Sequence, residues 1–124
     1  MSSNNTVACA VDRSTLVVTV LVEQLRDISV VQSLRDGILS AIETSQASNV
    51  VIDLQNVKNI GSVAFLAFLA IRRQSGIDRI VLCNLSELLQ ELFQMCKLIA
   101  TSGGKSAPFE QAANVTEALK MCGQ

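Results

Sequence analysis

Short apolar runs along the chain predict the strands of a sheet. Residues 15–22 are rich in β-branched side chains and carry no charge, a pattern typical of a strand that is covered on both faces. Residues 7–11 are expected to pair with this strand as a hairpin through the turn 12–14. Two further runs, 49–54 and 79–85, have the length and composition of central strands in a parallel sheet.

Between these runs, apolar residues recur every three or four positions, which indicates helices. A capping box over 29–32 is expected to open the first helix, which ends near Thr44. Its inward stripe is predicted to be Val31, Leu34, Ile38 and Ile42. A second helix is predicted over 63–75, because Ser62 can cap it and Gly76 can end it.

The last third of the chain predicts two more helices and a short edge strand over 108–110. Ser86 is expected to cap a helix with an inward stripe of Leu88, Leu89, Leu92, Phe93 and Cys96. Asn114 opens the final helix, whose inward residues are expected to be Val115, Ala118, Leu119 and Cys122. The order β-β-α-β-α-β-α-β-α predicts an α/β fold, with a mainly parallel mixed sheet of four to five strands flanked by helices.

Composition restricts the function classes. With 124 residues and 49% hydrophobic content, the chain is expected to form a single domain over 1–124, with residues 1–5 flexible. The net charge of −1 argues against nucleic acid as a partner. The longest uncharged apolar stretches, 16–22 and 63–71, are too short to span a membrane, and no signal peptide precedes them, so we expect a cytoplasmic protein without membrane insertion.

The sequence offers little chemistry for catalysis or metal binding. There is no histidine, and the four cysteines, Cys9, Cys83, Cys96 and Cys122, lack metal-ligand spacing, so we expect unpaired and mostly buried thiols, with no metal and no cofactor. Gly104-Lys105-Ser106 matches only the end of a phosphate-binding loop motif, and it is followed by Pro108 where a helix should begin. Asp53 stands where α/β enzymes often keep a carboxylate, but it lacks companions. We therefore predict that the protein is not an enzyme.

The predicted helix over 63–75 has no polar side chain before Arg72. An amphipathic helix on one face of a sheet should show a polar stripe. Either this helix is covered on all sides, or its outer face forms an apolar patch that meets a partner or a second copy of the chain. The sequence leaves both alternatives open.

Residues 50–65 resemble the core of STAS domains, the family of bacterial anti-sigma factor antagonists and of the C-terminal domains of sulfate transporters. Residues 81–86, Leu98 and 117–119 also fit, so the resemblance covers most of the chain from about Leu16 to Cys122. It implies a four- or five-stranded sheet flanked by helices. It also implies a non-enzymatic role in partner switching, in which the antagonist binds an anti-sigma factor or kinase and the sigma factor is released.

The family's switch lies at the start of the helix after the third strand, in a stretch similar to Asp-Ser-Ser-Gly whose second hydroxyl residue is phosphorylated. In this sequence Gly61 stands for the aspartate, Ser62 for the first serine, Val63 for the phosphorylated residue and Ala64 for the glycine. Valine cannot carry a phosphate, so Ser62 is the remaining candidate phosphorylation site, with a helix cap as its alternative role. The resemblance implies that partners bind at Gly61, Ser62, Val63, Ala64 and Phe65.

Two hypotheses follow. The protein is a STAS signalling module that binds an anti-sigma factor or serine kinase without control by phosphorylation at Val63. Alternatively, it is a structural or scaffold domain that assembles with itself, for instance as a homodimer, or with larger partners, and buries the apolar helix.

Overall fold

The computed structural model describes residues 6–99 and 108–123. The predicted flexible segment 1–5 and the small polar loop 100–107, which contains Gly104-Lys105-Ser106, lie outside the described residues. The elements in chain order are β1 (Val7–Asp12), β2 (Thr15–Val20), β3 (Gln24–Leu25), α1 (Ile28–Ser45), β4 (Asn49–Asp53), β5 (Asn59–Ile60), α2 (Ser62–Ser75), β6 (Arg79–Cys83), α3 (Glu87–Met95), β7 (Glu110–Ala112) and α4 (Val115–Met121).

The main sheet has five strands in the order β1-β2-β4-β6-β7. β1 and β2 form an antiparallel hairpin, and the other three neighbouring pairs are parallel. The predicted α/β class with a mainly parallel mixed sheet is therefore confirmed. The predicted edge strand over 108–110 begins two residues later than expected, because Phe109 makes only an isolated bridge to Ile99.

Helices cover the two faces of the sheet unequally. One face packs against α1, α2 and α3 in the main core, to which β4 contributes Val50 and Ile52. The other face carries a smaller cluster in which Val51, Val81 and Cys83 meet Ala118 of α4. Burial on both faces explains why β4 and β6 are continuous apolar runs.

The inward stripe predicted for α1 is confirmed, since Val31, Leu34, Ile38 and Ile42 are its buried residues. The predicted capping box at 29–32 is wrong. The N-cap of α1 is Asp27, two residues before the predicted Ser29, and the Asp27 carboxylate accepts hydrogen bonds from the Ser29 backbone N–H at 2.8 Å and from the Ser29 hydroxyl at 2.7 Å. These bonds lower the pKa of Asp27.

Several other details of the helices differ from the prediction. In α3, Ser86 caps the helix as expected and Leu89 and Phe93 are buried, but Leu88 and Cys96 are exposed. The stripe prediction for α3 is therefore confirmed for Leu89, Leu92 and Phe93 and wrong for Leu88 and Cys96, because a short helix is covered along a narrower face than its apolar spacing indicates. In α4 the predicted inward side is confirmed, since Ala118 is fully buried and the partly buried Val115, Leu119 and Cys122 pack against the same cluster.

The expectation of mostly buried thiols is only partly correct. Cys83 is buried and Cys122 is half-buried, but Cys9 and Cys96 are exposed. All four are unpaired. Burial is the main cause that raises the pKa of Cys83 to about 12, and the neighbouring Asp53 carboxylate adds to it.

Candidate partner-binding site

The start of α2 lies at the carboxyl end of the main sheet, beside the start of α1. The two short strands β3 and β5 pair in parallel, with Leu25 opposite Ile60. Directly after them, the Gly61 N–H donates to the Leu25 carbonyl oxygen at 2.9 Å. Since both strands lead straight into helices, this pairing fixes the two helix starts next to each other.

Gly61 is the N-cap residue of α2, and no side chain caps this helix. Ser62 was predicted to be the cap, and that prediction is wrong: Ser62 is the first residue inside the helix. It is exposed, and its hydroxyl makes no hydrogen bond to any of the described residues. The N-terminus of α2 carries the positive end of the helix dipole. Neither its N-cap residue nor its first turn supplies a capping side chain or a carboxylate.

The five residues predicted to bind a partner lie at different depths. Ser62 is exposed, whereas Gly61 and Val63 are half-buried. Ala64 is fully buried and points into the core. Phe65 is half-buried and packs edge-on against Phe93 of α3, with ring centroids 5.0 Å apart. Ala64 is therefore the one residue of the five that presents no surface, and Ser62 is the most exposed.

A shallow groove of about 150 Å³ runs between α1 and α2 from this point. Most of its lining is apolar and comes from both helices, and Gln32 and Arg35 of α1 add polar groups. The apolar residues are Ile28, Val31, Val63, Leu66, Ala67 and Ala70. Ile28 is 61% exposed and Leu66 is 67% exposed. We call Ile28, Ser62, Val63 and Leu66 the helix-start surface.

Ile28 lies outside the inward stripe of α1, so the helical period of the sequence does not point to it. The available signal was an apolar residue in the first turn of a helix, on the side that turns away from the stripe. The exposed Leu66 resolves the two alternatives for α2: the helix is covered by α1, by α3 and by the sheet, and its outer side is open.

Asp53 has a structural role at the ends of two strands. Its Oδ1 accepts hydrogen bonds from the Gln55 backbone N–H at 3.0 Å and from the Asn84 side-chain amide at 2.9 Å. Asn84 adopts a left-handed conformation with φ 58°. The carboxylate thus ties the end of β4 to the end of β6, and it is 7% exposed.

The arginines near the end of α2 are also held by structural contacts. Arg72 donates to the Ile77 carbonyl oxygen, which follows the end of its own helix. Arg79 pairs with Glu110 at 2.7 Å and also contacts the Met121 carbonyl oxygen. Within the two described ranges, no three side chains of the metal-binding types His, Cys, Asp and Glu come together.

Comparison with known proteins points to one family. A family model described as the STAS domain matches residues 10–112. Comparison with curated protein sequences finds no match. Within the described part of the chain, none of the helices combines the length and the apolar character needed to cross a membrane.

Three solved structures share the fold. The unphosphorylated anti-sigma factor antagonist SpoIIAA has 19% sequence identity and a TM-score of 0.63, and the match covers 94% of this chain and 96% of that chain. The phosphorylated form of SpoIIAA, a cell fate determinant from Bacillus, has 22% identity and a TM-score of 0.65 over 94% of this chain and 98% of that chain. A serine-to-glutamate variant of RsbS from Moorella thermoacetica has 16% identity and a TM-score of 0.69 over 93% of this chain and 92% of that chain.

Proposed function

The chain belongs to the STAS domain family, and from that premise we propose that it is a non-enzymatic binding module in a partner-switching pathway of transcription regulation. Its partner is an anti-sigma factor or a serine kinase, and the helix-start surface is where the partner docks. The chain acts as a single domain, and this role fits a cytoplasmic location. The proposal is supported by the fold shared with anti-sigma factor antagonists.

The exposed apolar groove at the start of α2 is the observation that carries this proposal. Ile28 and Leu66 both leave more than half of their side-chain surface in water. Exposed aliphatic side chains that line a continuous groove are typical of a surface that binds another protein. Val63 lines the same groove.

We further propose that the module is not switched by phosphorylation at position 63. A phosphate would place about two negative charges on a docking surface whose groove is mostly apolar here. Val63 has no hydroxyl, and Gly61 supplies no carboxylate beside it. Ser62 retains an exposed hydroxyl, but it lies one position before the place that the family phosphorylates.

Substitution of Val63 by Glu tests the docking surface. The carboxylate introduces a charge into the groove, so we expect it to weaken partner binding by about tenfold or more. Val63→Gln is the matched control, since it loses the same apolar contacts without adding charge. The loss of half-buried aliphatic surface costs about 1 kcal/mol in both variants, and the helix dipole returns about 0.3–1 kcal/mol to the Glu variant.

Titration calorimetry against purified anti-sigma factors and serine kinases of partner-switching pathways measures the effect, with thermal unfolding as the check on folding. Equal binding by wild-type protein and a folded Val63→Glu protein would contradict the proposed surface. After incubation of the wild-type protein with the bound kinase and ATP, mass spectrometry should find little or no phosphate. Stoichiometric phosphate on Ser62 would show that the switch is present and has moved by one residue.

A further inference from the structure

The outer edge of β1 is an open strand edge. β1 is the first strand of the sheet order, and among the described residues no strand pairs with its outer side. It is six residues long, and all of its side chains except Val7 are exposed. Its first five residues are apolar and include neither proline nor lysine, the residues that commonly protect such an edge.

The opposite edge of the sheet is protected. β7 has only three residues, and Pro108 lies two positions before it. Glu110 of β7 also forms an ion pair with Arg79 of β6 at 2.7 Å, so this edge strand carries a charged side chain. The two edges therefore differ in the features that prevent strand addition.

The backbone groups of β1 determine how a second strand could pair. Leu21 donates to the Thr6 carbonyl oxygen at 2.8 Å, and these two residues continue the hairpin register. In an antiparallel ladder the residues that bond a given neighbour alternate. Ala8, Ala10 and Asp12 therefore bond β2, and the N–H and C=O groups of Val7, Cys9 and Val11 point outward.

We propose that two copies of this chain associate through β1, antiparallel and about a two-fold axis, with Cys9 of one copy directly opposite Cys9 of the other. In this register Val7 lies opposite Val11, so all three outward residues of each copy are paired. The arrangement forms about six hydrogen bonds, whereas a shift by two residues in either direction leaves only about four. The number of backbone hydrogen bonds therefore favours this register over the shifted ones.

Side-chain chemistry supports a copy of the same chain as the occupant. Paired residues of an antiparallel ladder lie on the same face of the sheet. Val11, which is 55% exposed, meets the other copy's Val7 on the face that carries α1. Ala8 and Ala10 meet on the opposite face, so no charged residue opposes an apolar one along the first five positions.

The helix α1 lies above the β1 edge and leaves room for a second copy of the chain. α1 packs on the face that carries Val7, and its contact with the β1 end includes a hydrogen bond of 3.0 Å between the hydroxyls of Thr6 and Ser33. Ser33, Gly37 and Ala41 recur every four residues on the flank of α1 opposite to the groove with α2. Apart from Val30, which lies on the same flank near the start of α1 and packs against the core, the side chains there are small and leave room for two α1 helices side by side.

A strand pair of this size buries less area than a permanent dimer needs, so association is expected to be reversible and to depend on concentration. Sedimentation velocity over a range of concentrations should show a monomer–dimer equilibrium for the wild-type protein. Val11→Lys should shift the protein to monomer, because the lysine faces an apolar residue of the other copy.

Leu66→Lys is the matched control, since it places the same charge on the exposed apolar side of α2. We expect it to dimerise as the wild-type protein does. Thermal unfolding checks that both variants remain folded. A wild-type protein that stays monomeric at all concentrations, or a dimer that Leu66→Lys disrupts and Val11→Lys does not, would overturn the proposal.

The register has its own test. The Cα atoms of a directly opposed, hydrogen-bonded pair are about 5.5 Å apart, which is within reach of a disulfide bond. Diamide, which is reduced as two thiols are oxidised, should link the copies through Cys9, and peptide mapping should identify a Cys9–Cys9 bond. Cys96→Ser should leave this product unchanged and Cys9→Ser should abolish it. Dimers linked through Cys96, or a Cys9→Ser protein that still forms the cross-link, would refute the register.

Discussion

Replacement of Gly61 by Asp restores the carboxylate that the family carries at the start of α2, and its effect on stability follows from the structure. Gly61 has φ −107° and ψ 170°, an extended conformation that any residue adopts. A Cβ atom there would lie 3.6–3.7 Å from Arg26, which is ordinary van der Waals contact. The substitution is therefore free of strain.

The carboxylate should stabilise the protein in three ways. It can accept a hydrogen bond from the uncapped first turn, which adds a few tenths of a kcal/mol over glycine. It interacts with the helix dipole for about 0.3–1 kcal/mol, and loss of glycine reduces the entropy of the unfolded chain by about 0.4–1 kcal/mol. We expect a gain of about 1–2 kcal/mol in the free energy of unfolding, or about 4–8 °C in the melting temperature.

Urea unfolding followed by circular dichroism measures the gain, and Gly61→Ala is the control. Alanine also restricts the unfolded chain but is a poor N-cap, so its net effect should be near zero. The advantage of Asp over Ala should be present above the ordinary carboxyl pKa of about 3.9. It should disappear as the pH falls through the lower pKa of the capping carboxylate. Equal stability of the two variants at neutral pH would refute the description of an uncapped helix start.

Two further predictions concern thiols and acid stability. Maleimide labelling of the native protein should modify Cys9 and Cys96 first and Cys122 slowly, whereas Cys83, whose pKa is raised to about 12, should react only after unfolding; early labelling of Cys83 would contradict its burial. Because its hydrogen bonds lower the pKa of Asp27, this residue contributes stability above the ordinary carboxyl pKa, and that contribution is lost as the pH falls through the lowered value. Asp27→Asn should therefore flatten the acid side of the stability profile measured by urea unfolding, and an unchanged profile would argue against the cap.

The elements in which burial produces a regular pattern of apolar residues could be predicted from the sequence. The stripe of α1 is visible because four buried residues follow the helical period. The strands β4 and β6 are visible because burial on both faces requires a continuous apolar run. In both cases one physical constraint acts on many residues, so errors at single positions do not matter.

The helix starts could not be predicted in the same way, although they form the candidate site. Asp27 and Ser29 can both cap α1, and Gly61 and Ser62 can both precede α2. The choice depends on where β3 and β5 pair, and each of these strands has only two residues, too few for a periodic signal. Because Leu25 pairs with Ile60, the helix α2 starts directly after Gly61. Gly61 is therefore the N-cap, and Ser62 is an exposed residue inside the helix.

The two proposed surfaces can be occupied together. The helix-start surface lies at the carboxyl end of the parallel strands, where Gly61 bonds Leu25. Val11 lies next to the hairpin turn that precedes β2. Thr15, directly after this turn, pairs with the first residue of β4, so Val11 is at the amino end of the parallel strands. The groove between α1 and α2 and the small-residue flank above β1 lie on opposite sides of α1. A dimer joined through β1 would leave both copies of Val63 open, so each could bind a partner without separating the dimer. A charge at Val63 should then affect partner binding alone, and a charge at Val11 should affect dimerisation alone.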